Sequence, residues 1–201
     1  MDTACIRRQL ASKKVGIAGC GGLGSNCAVA LIRCGLGSLV IADFDTVDRS
    51  NLNRQYYFQE QIGMKKVDAL KSTIAAIEPD CRVEVHDVKL RPDDIVRIFG
   101  HCDVIVEAFD HAREKEMIIT TVMEKLADKM LITGIGLAGY GRNNELRAER
   151  QGNLFICGDQ GSEVSADNPA LAPRVGIVAN MQANQVLEIL LNTESDENNP
   201  E

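Results

Sequence analysis

The strongest constraint on this 201-residue chain is a cluster of four glycines in six residues, GCGGLG at positions 19–24. It sits between a short β-run, KVGIA at 14–18, and an apolar stretch at 23–34. A strand that feeds a glycine turn, which in turn opens a helix, is the beginning of a βαβ unit. The glycines have a steric purpose. The backbone must turn tightly and then let an anion approach a helix amino terminus, where free N–H groups and the dipole favour negative charge. The plainer alternative is that they serve only close packing of helix on strand.

The rest of the chain continues the alternation. Residues 23–34 carry Leu23, Cys27, Ala30, Leu31 and Cys34 at helical spacing, and Gly35 and Gly37 end the run. Residues 39–42 are a wholly apolar strand, as expected where helices cover both faces of a parallel sheet. After the polar segment DFDTVDRSNLNRQ (43–55), a helix is predicted over 63–77 with Val67, Leu70, Ile74 and Ile77 as its buried stripe. Strand 82–86, a helix opened by Pro92, strand 103–107, helix 112–127 and strand 131–135 follow. This order predicts a Rossmann-like, doubly wound α/β fold with a mostly parallel sheet. ELRAER (145–150) and NLFICG (153–158) read as short antiparallel additions near the carboxyl terminus, and a helix over about 171–192 closes the domain. Residues 1–192 thus read as one domain, and 193–201 as an acidic, disordered tail.

Charge and cysteine content exclude several classes. The net charge is −7, but four of the acids lie in the last eight residues, leaving about −3 elsewhere, with no basic footprint for nucleic acid or an anionic membrane. No apolar run approaches the roughly 20 residues that span a bilayer. The amino-terminal MDTACIRRQLASKK has no apolar core, so no secretory leader is expected. Seven cysteines, an odd number with no Cys-x-x-Cys pair, fit a reduced, cytoplasmic setting. Cys20, Cys27 and Cys34 recur every seven residues, about 10 Å apart along a helix, too far for Cys27 and Cys34 to share a metal. No zinc is expected.

Asp43 ends the second strand, placed to accept hydrogen bonds from a ribose, and with the turn alone it suggests NAD. Downstream residues point elsewhere. Ser50, Asn51 and Asn53 precede Arg54, and Lys66 follows twelve residues later. Two cations suit a triphosphate, because charge builds on the bridging oxygen when pyrophosphate departs. Asp110, beyond the fourth strand in EAFDH, stands where ligands bind in open α/β sheets and could hold Mg2+ together with phosphate oxygens. Each residue has a plainer reading: Arg54 and Lys66 as surface charges, Asp110 as a helix cap.

With GCGGLGS (19–25), DFDTVDRSNLNRQ (43–55), IGMKKVDA (62–69) and EAFDH (107–111), the chain resembles the ThiF/MoeB/HesA group of adenylating enzymes, relatives of ubiquitin-activating proteins. The short length, with CGD at 157–159 and APRVGIVANMQAN at 172–184, is most similar to a compact ThiF-like subgroup linked to thiamine biosynthesis. The resemblance implies ATP- and Mg2+-dependent adenylation of the terminal glycine of a small ubiquitin-fold sulfur carrier ending in Gly-Gly, by a homodimer. It implies that Gly19, Gly21, Gly22 and Gly24 form the nucleotide turn, with Gly22 near the phosphates and Asp43 on the ribose. Ser50, Asn51 and Asn53 would line the nucleotide, with His111 beside it. Arg54 and Lys66 would contact phosphates, and Asp110 would bind Mg2+. The chain departs from the group in lacking two Cys-x-x-Cys pairs, in having His111 where asparagine is usual, and in a short amino-terminal segment that leaves Arg7 and Arg8 to reach a partner's site. Cys157 is the one positional candidate for a thioester or persulfide, against a plainer reading as a buried thiol. Two other functions stay open: an NAD-dependent oxidoreductase using His86, His101 or His111, and a non-catalytic module that binds a ubiquitin-like partner.

Overall fold

The computed structural model describes residues 1–192; the acidic segment 193–201, read above as a tail, lies outside the described residues. A helix absent from the sequence reading, α1 (Thr3–Leu10), opens the chain, with the Asp2 carboxylate accepting from the Cys5 N–H at 2.8 Å and Leu10 fully buried. The alternation follows as expected: β1 (Lys14–Ala18), α2 (Gly22–Arg33), β2 (Ser38–Asp43), α3 (Lys66–Ile77), β3 (Arg82–Asp87), α4 (Pro92–Phe99) and β4 (Val104–Glu107). Then come α5 (Ala112–Lys125), β5 (Met130–Gly134), β6 (Arg147–Gln151), β7 (Leu154–Gly158) and α6 (Ala172–Asn192).

Seven strands form a sheet in the order β3-β2-β1-β4-β5-β7-β6, parallel throughout except for β6 against β7. The antiparallel addition is therefore β6, which lies at one edge and is built from the charged RAERQ, a composition that discourages further strand pairing. β1 lies between β2 and β4, so the winding reverses there. That reversal opens a crevice beyond the carboxyl ends of β1 and β4, the position where open α/β sheets take ligands.

Two apolar layers explain why the central strands read as continuous apolar runs. On one face Ile17, Ile41 and Val106 pack with Leu31, Leu70, Ile74 and Val178; on the other Val40, Ile105 and Leu131 meet Ile95, Phe99 and Val122. Gly16 makes room for the second layer: a side chain there would begin 3.1 Å from the Cys102 sulfur and strike the Phe99 ring. Full burial of that ring contributes about 1.5–3 kcal/mol.

One boundary differs in a way that matters. The helix expected from residue 63 begins at Lys66. Gly63, at φ +91°, and Met64 pair instead with Val47, through the Gly63 N–H to the Val47 carbonyl at 2.9 Å and the Val47 N–H to the Met64 carbonyl at 2.8 Å. Lys66 is thereby delivered as the first residue of α3.

Candidate functional site

The glycine turn follows β1 directly. Gly19 takes φ +97°, and its N–H donates to Ala42 of β2 at 2.8 Å, while Ala108 donates to Ala18 at 2.8 Å. A side chain on Gly19 would begin 2.8 Å from the Ala108 carbonyl oxygen, and one on Gly24 would collide with the carbonyl of Gly19. These two glycines let α2 approach β1 and β4. Gly21 is the N-cap of α2 and makes no side-chain cap hydrogen bond, so the first-turn N–H groups lack the usual capping oxygen. At Gly22 the space a side chain would need is taken by Val175, whose Cγ1 lies 2.9 Å away, so in this structure that glycine seats the start of α6.

Asp43 meets the turn from β2. One carboxylate oxygen accepts from the Cys20 N–H at 2.6 Å and the other from the Asp45 N–H at 2.8 Å, with lone pairs left for a further donor. Ser50 and Asn51 are engaged in building their own loop: Asp48 accepts from the Ser50 hydroxyl and N–H at 2.6 and 2.8 Å, and Asn51 accepts from the Asp48 N–H at 3.0 Å. The Ser50 hydroxyl holds the Asp48 carboxyl below its ordinary range. Asn53 accepts from Arg54 at 2.8 Å. The Arg54 carbonyl is held by Asn26 of α2 at 3.0 Å, and its Cγ lies 3.7 Å from where a Gly22 side chain would begin, which places Arg54 against the turn.

Lys66 is not a surface charge. Its side chain is 7% exposed, and its amine pairs with Asp45 at 2.8 Å. Asp110 is 90% exposed at the end of β4, and His111 beside it is 78% exposed, their nearest atoms 3.8 Å apart. The N-cap of α5 is His111 and no side chain caps that helix, so Asp110 is not consumed as a cap. His86 and His101 lie elsewhere, 2.8 and 3.7 Å from Glu84 on the edge strand β3. The turn, Asp43, Arg54, Lys66 and the Asp110 loop thus gather at the switch point as a surface cradle. An open groove of about 590 Å³ over Pro173, Gly176 and Ile177 on α6 includes none of them.

Residues 5–201 match the profile of the ThiF family. The chain belongs to the ThiF family. It is 31% identical over 188 residues to the adenylyltransferase and sulfurtransferase uba4 of Ogataea parapolymorpha, covering 90% of this chain and 48% of that protein. With the ubiquitin-like modifier-activating enzyme 5 of Bombyx mori it shares 31% identity over 160 residues, covering 74% of this chain and 40% of the relative. The chain therefore spans about half the length, or less, of these curated relatives. Among solved structures, E. coli tRNA N6-threonylcarbamoyladenosine dehydratase, TcdA, in complex with ATP superposes with a TM-score of 0.86 at 19% identity, covering 96% of this chain and 91% of that one. E. coli MccB with MccA-N7isoASN gives 0.70 at 22% identity, covering 93% and 59%. Both likenesses show the shared fold.

Several residues of this ThiF-family chain escaped the sequence reading. Glu107, fully buried at the end of β4, accepts from the Phe109 N–H at 2.6 Å, from Lys115 at 2.9 and 3.1 Å, and from the Thr133 hydroxyl. Lys115 also donates to the Gly134 carbonyl at 2.9 Å. This cluster anchors the segment that presents Asp110, and the EAFDH motif was its only local signal. A second buried pair, Arg174 with Asp159 at 2.5 Å, ties α6 to the exit of β7, and Arg174 also reaches the Gly141 carbonyl at 2.5 Å. Burial would raise the Asp159 pKa, but N–H groups of Ser162 and Gly161, the Ser162 hydroxyl and Arg174 outweigh it and hold the carboxyl well below the usual range. Gln55, which the 50–55 segment already offered as an amide, approaches Gly21, with its Oε1 buried and without a partner among the described residues.

Several thiols are shielded by burial. Cys157 is fully buried in β7, and burial pushes its pKa up to about 11, leaving little thiolate near neutral pH. Cys20 and Cys27 are likewise fully buried and shifted upward by burial. Among the described residues no three His, Cys, Asp or Glu side chains gather to hold a metal. Arg7 pairs with Glu78 of its own chain at 2.5 Å, while Arg8 is exposed. No helix among the described residues is long and apolar enough to cross a membrane.

Proposed function

We propose that this chain uses ATP and Mg2+ to adenylylate the terminal glycine of a small ubiquitin-fold sulfur carrier ending in Gly-Gly, a ThiS-like protein of thiamine thiazole biosynthesis. In this reading residues 1–192 act as one adenylyltransferase domain, in the cytoplasm and as a homodimer. The observation that carries it is a buried amine, Lys66, beside an uncapped helix amino terminus, with the exposed carboxylate of Asp110 on the adjoining strand end. A hydride-transfer site has no need of a desolvated cation there; a departing pyrophosphate does. The names of the relatives support the reading: uba4 is called an adenylyltransferase, and the Bombyx mori protein activates a ubiquitin-like modifier.

A carboxylate oxygen of the carrier attacks the α-phosphorus of ATP. The carboxyl–phosphate bond forms as the bond to the oxygen bridging the α- and β-phosphorus atoms breaks, and pyrophosphate leaves with that electron pair. Lys66 and Arg54 stabilise the growing charge, the α2 amino terminus holds phosphate oxygens, and Asp43 accepts from the ribose. Asp110 would hold Mg2+ together with phosphate oxygens, one carboxylate being enough for that mode of binding, and the ion would supply further charge neutralisation. No side-chain nucleophile is required, which suits buried thiols.

ATP–pyrophosphate exchange tests the proposal, with a Gly-Gly-ending ubiquitin-fold carrier and the same carrier lacking its last glycine. Exchange with the intact carrier alone is expected, and about 100-fold slower exchange in Lys66→Ala or Asp110→Ala. Absence of exchange with every such carrier encoded beside this chain refutes the assignment. Tight NADH binding without ATP binding would replace it with the oxidoreductase reading. Carrier binding and cellular function that survive both substitutions would favour the non-catalytic module.

A further inference from the structure

Tyr57 is 6% exposed, and its hydroxyl joins the two parts of the cradle. It donates to the Cys20 carbonyl at 2.7 Å, with the Lys66 carbonyl 3.3 Å away as a second acceptor. Cys20 is the second residue of the glycine turn, and its N–H is already held by Asp43 at 2.6 Å. The peptide groups flanking Cys20 are therefore clamped on both sides, by a carboxylate on the N–H and a phenol on the carbonyl. Lys66 is restrained in the same way: its N–H donates to the Asp45 carbonyl at 3.0 Å and its amine to the Asp45 carboxylate at 2.8 Å, while its own carbonyl abuts Tyr57.

The phenol supplies the Cys20 carbonyl with a donor. A leucine or phenylalanine would fill the same apolar space without a buried hydroxyl that must find a partner. The hydroxyl adds a fixed distance between the turn that opens α2 and the first residue of α3. Those are the two places from which positive charge reaches a phosphate chain, and a misplacement of about 1 Å in such a pair costs on the order of 100-fold in rate.

We propose that Tyr57 is a positioning residue that sets the Lys66 amine against the glycine turn, so that both engage the phosphates of one nucleotide; this rests on the adenylylation reading above. Tyr57 touches neither phosphate nor carrier and acts through Lys66. The hydroxyl has one proton, directed mainly at the Cys20 carbonyl at 2.7 Å and shared with the Lys66 carbonyl at 3.3 Å, so the phenol links the turn to the lysine.

The test is a double-mutant cycle on the full chain, reading the affinity for ATP in the presence of Mg2+ and the number of ATP sites per chain by calorimetry. Tyr57→Phe is expected to bind ATP about tenfold more weakly while keeping one site per chain. Lys66→Ala is expected to bind more weakly still, and Tyr57→Phe/Lys66→Ala to match Lys66→Ala within twofold, because the tyrosine has lost the group it positions. Multiplicative losses in the double variant, or an unchanged affinity in Tyr57→Phe, overturn the inference. So does a reduced number of sites at unchanged affinity, which marks a folding role. A wild-type chain that binds no ATP overturns the adenylylation reading and this inference together; a wild type that binds ATP with additive variants overturns only the inference.

Discussion

Replacing Lys115 with methionine removes the cation that pairs with a carboxylate that has no access to water. Glu107 is 0% exposed, and Lys115, at 18%, supplies three of the contacts that hold the end of β4 to α5 and β5. Removing one partner of a buried ion pair costs about 3–5 kcal/mol, because the remaining charge stays desolvated. The lower figure applies here, since the Phe109 N–H and the Thr133 hydroxyl still serve Glu107. A loss of about 3 kcal/mol in a chain of this length lowers Tm by about 6–12 °C. Glu107→Gln/Lys115→Met should regain most of that, to within about 1 kcal/mol of wild type, because the amide oxygen still accepts from the Phe109 N–H, the amide N–H donates to the Thr133 hydroxyl, and no charge is buried. Thermal and urea unfolding of the four proteins measures the cycle. A double variant no more stable than Lys115→Met alone would refute the reasoning, since the cost could not then be the stranded carboxylate.

Other consequences follow from the same geometry. Gly24→Ala sets a methyl group into the Gly19 carbonyl and 3.2 Å from the Ala108 Cβ, so a loss of about 2–3 kcal/mol is expected in thermal melts; a change under about 0.5 kcal/mol would contradict the packing. Asp159 has a folded pKa well below its unfolded value, so its stabilisation is full above about pH 4 and is lost as the pH falls further. Urea melts between pH 2 and 5 should therefore show a steeper acid decline in wild type than in Asp159→Asn. Cys157 should resist thiol reagents in the native protein while the half-buried Cys5 and Cys34 react, and Cys157→Ala should keep its exchange activity. Rapid native labelling of Cys157 would show that β7 opens.

Legibility differed between the elements and the site. The strands and helices from residue 14 onward lie within a few residues of where apolar spacing and glycine placement put them, because both are local properties of the chain. Helix α1 was invisible, since TACIRRQL carries a single fully buried apolar residue, Leu10, and is held by an Asp2 cap. The start of α3 was misread by three residues because Gly63 and Met64 pair with Val47, sixteen or more residues earlier. Within the cradle, Asp43, Arg54, Lys66 and Asp110 were nameable from residue type and strand-end position. Glu107, Lys115 and Tyr57 were not, as their roles depend on partners and on burial.

The sequence by itself determined the alternation of strand and helix, the glycine turn between β1 and α2, and which charged groups fall at strand ends. Those follow from backbone sterics and from a periodicity that repeats within a few residues. Only the tertiary structure decided that β4 lies beside β1, so that Asp110 and the turn share one crevice. It also decided that Lys66 is desolvated against Asp45, that Val175 occupies the space at Gly22, and that Tyr57 bridges to Cys20 across 37 residues. Strand order selects which distant groups meet, and the exclusion of water sets how strongly they then act; neither is a property of a short segment.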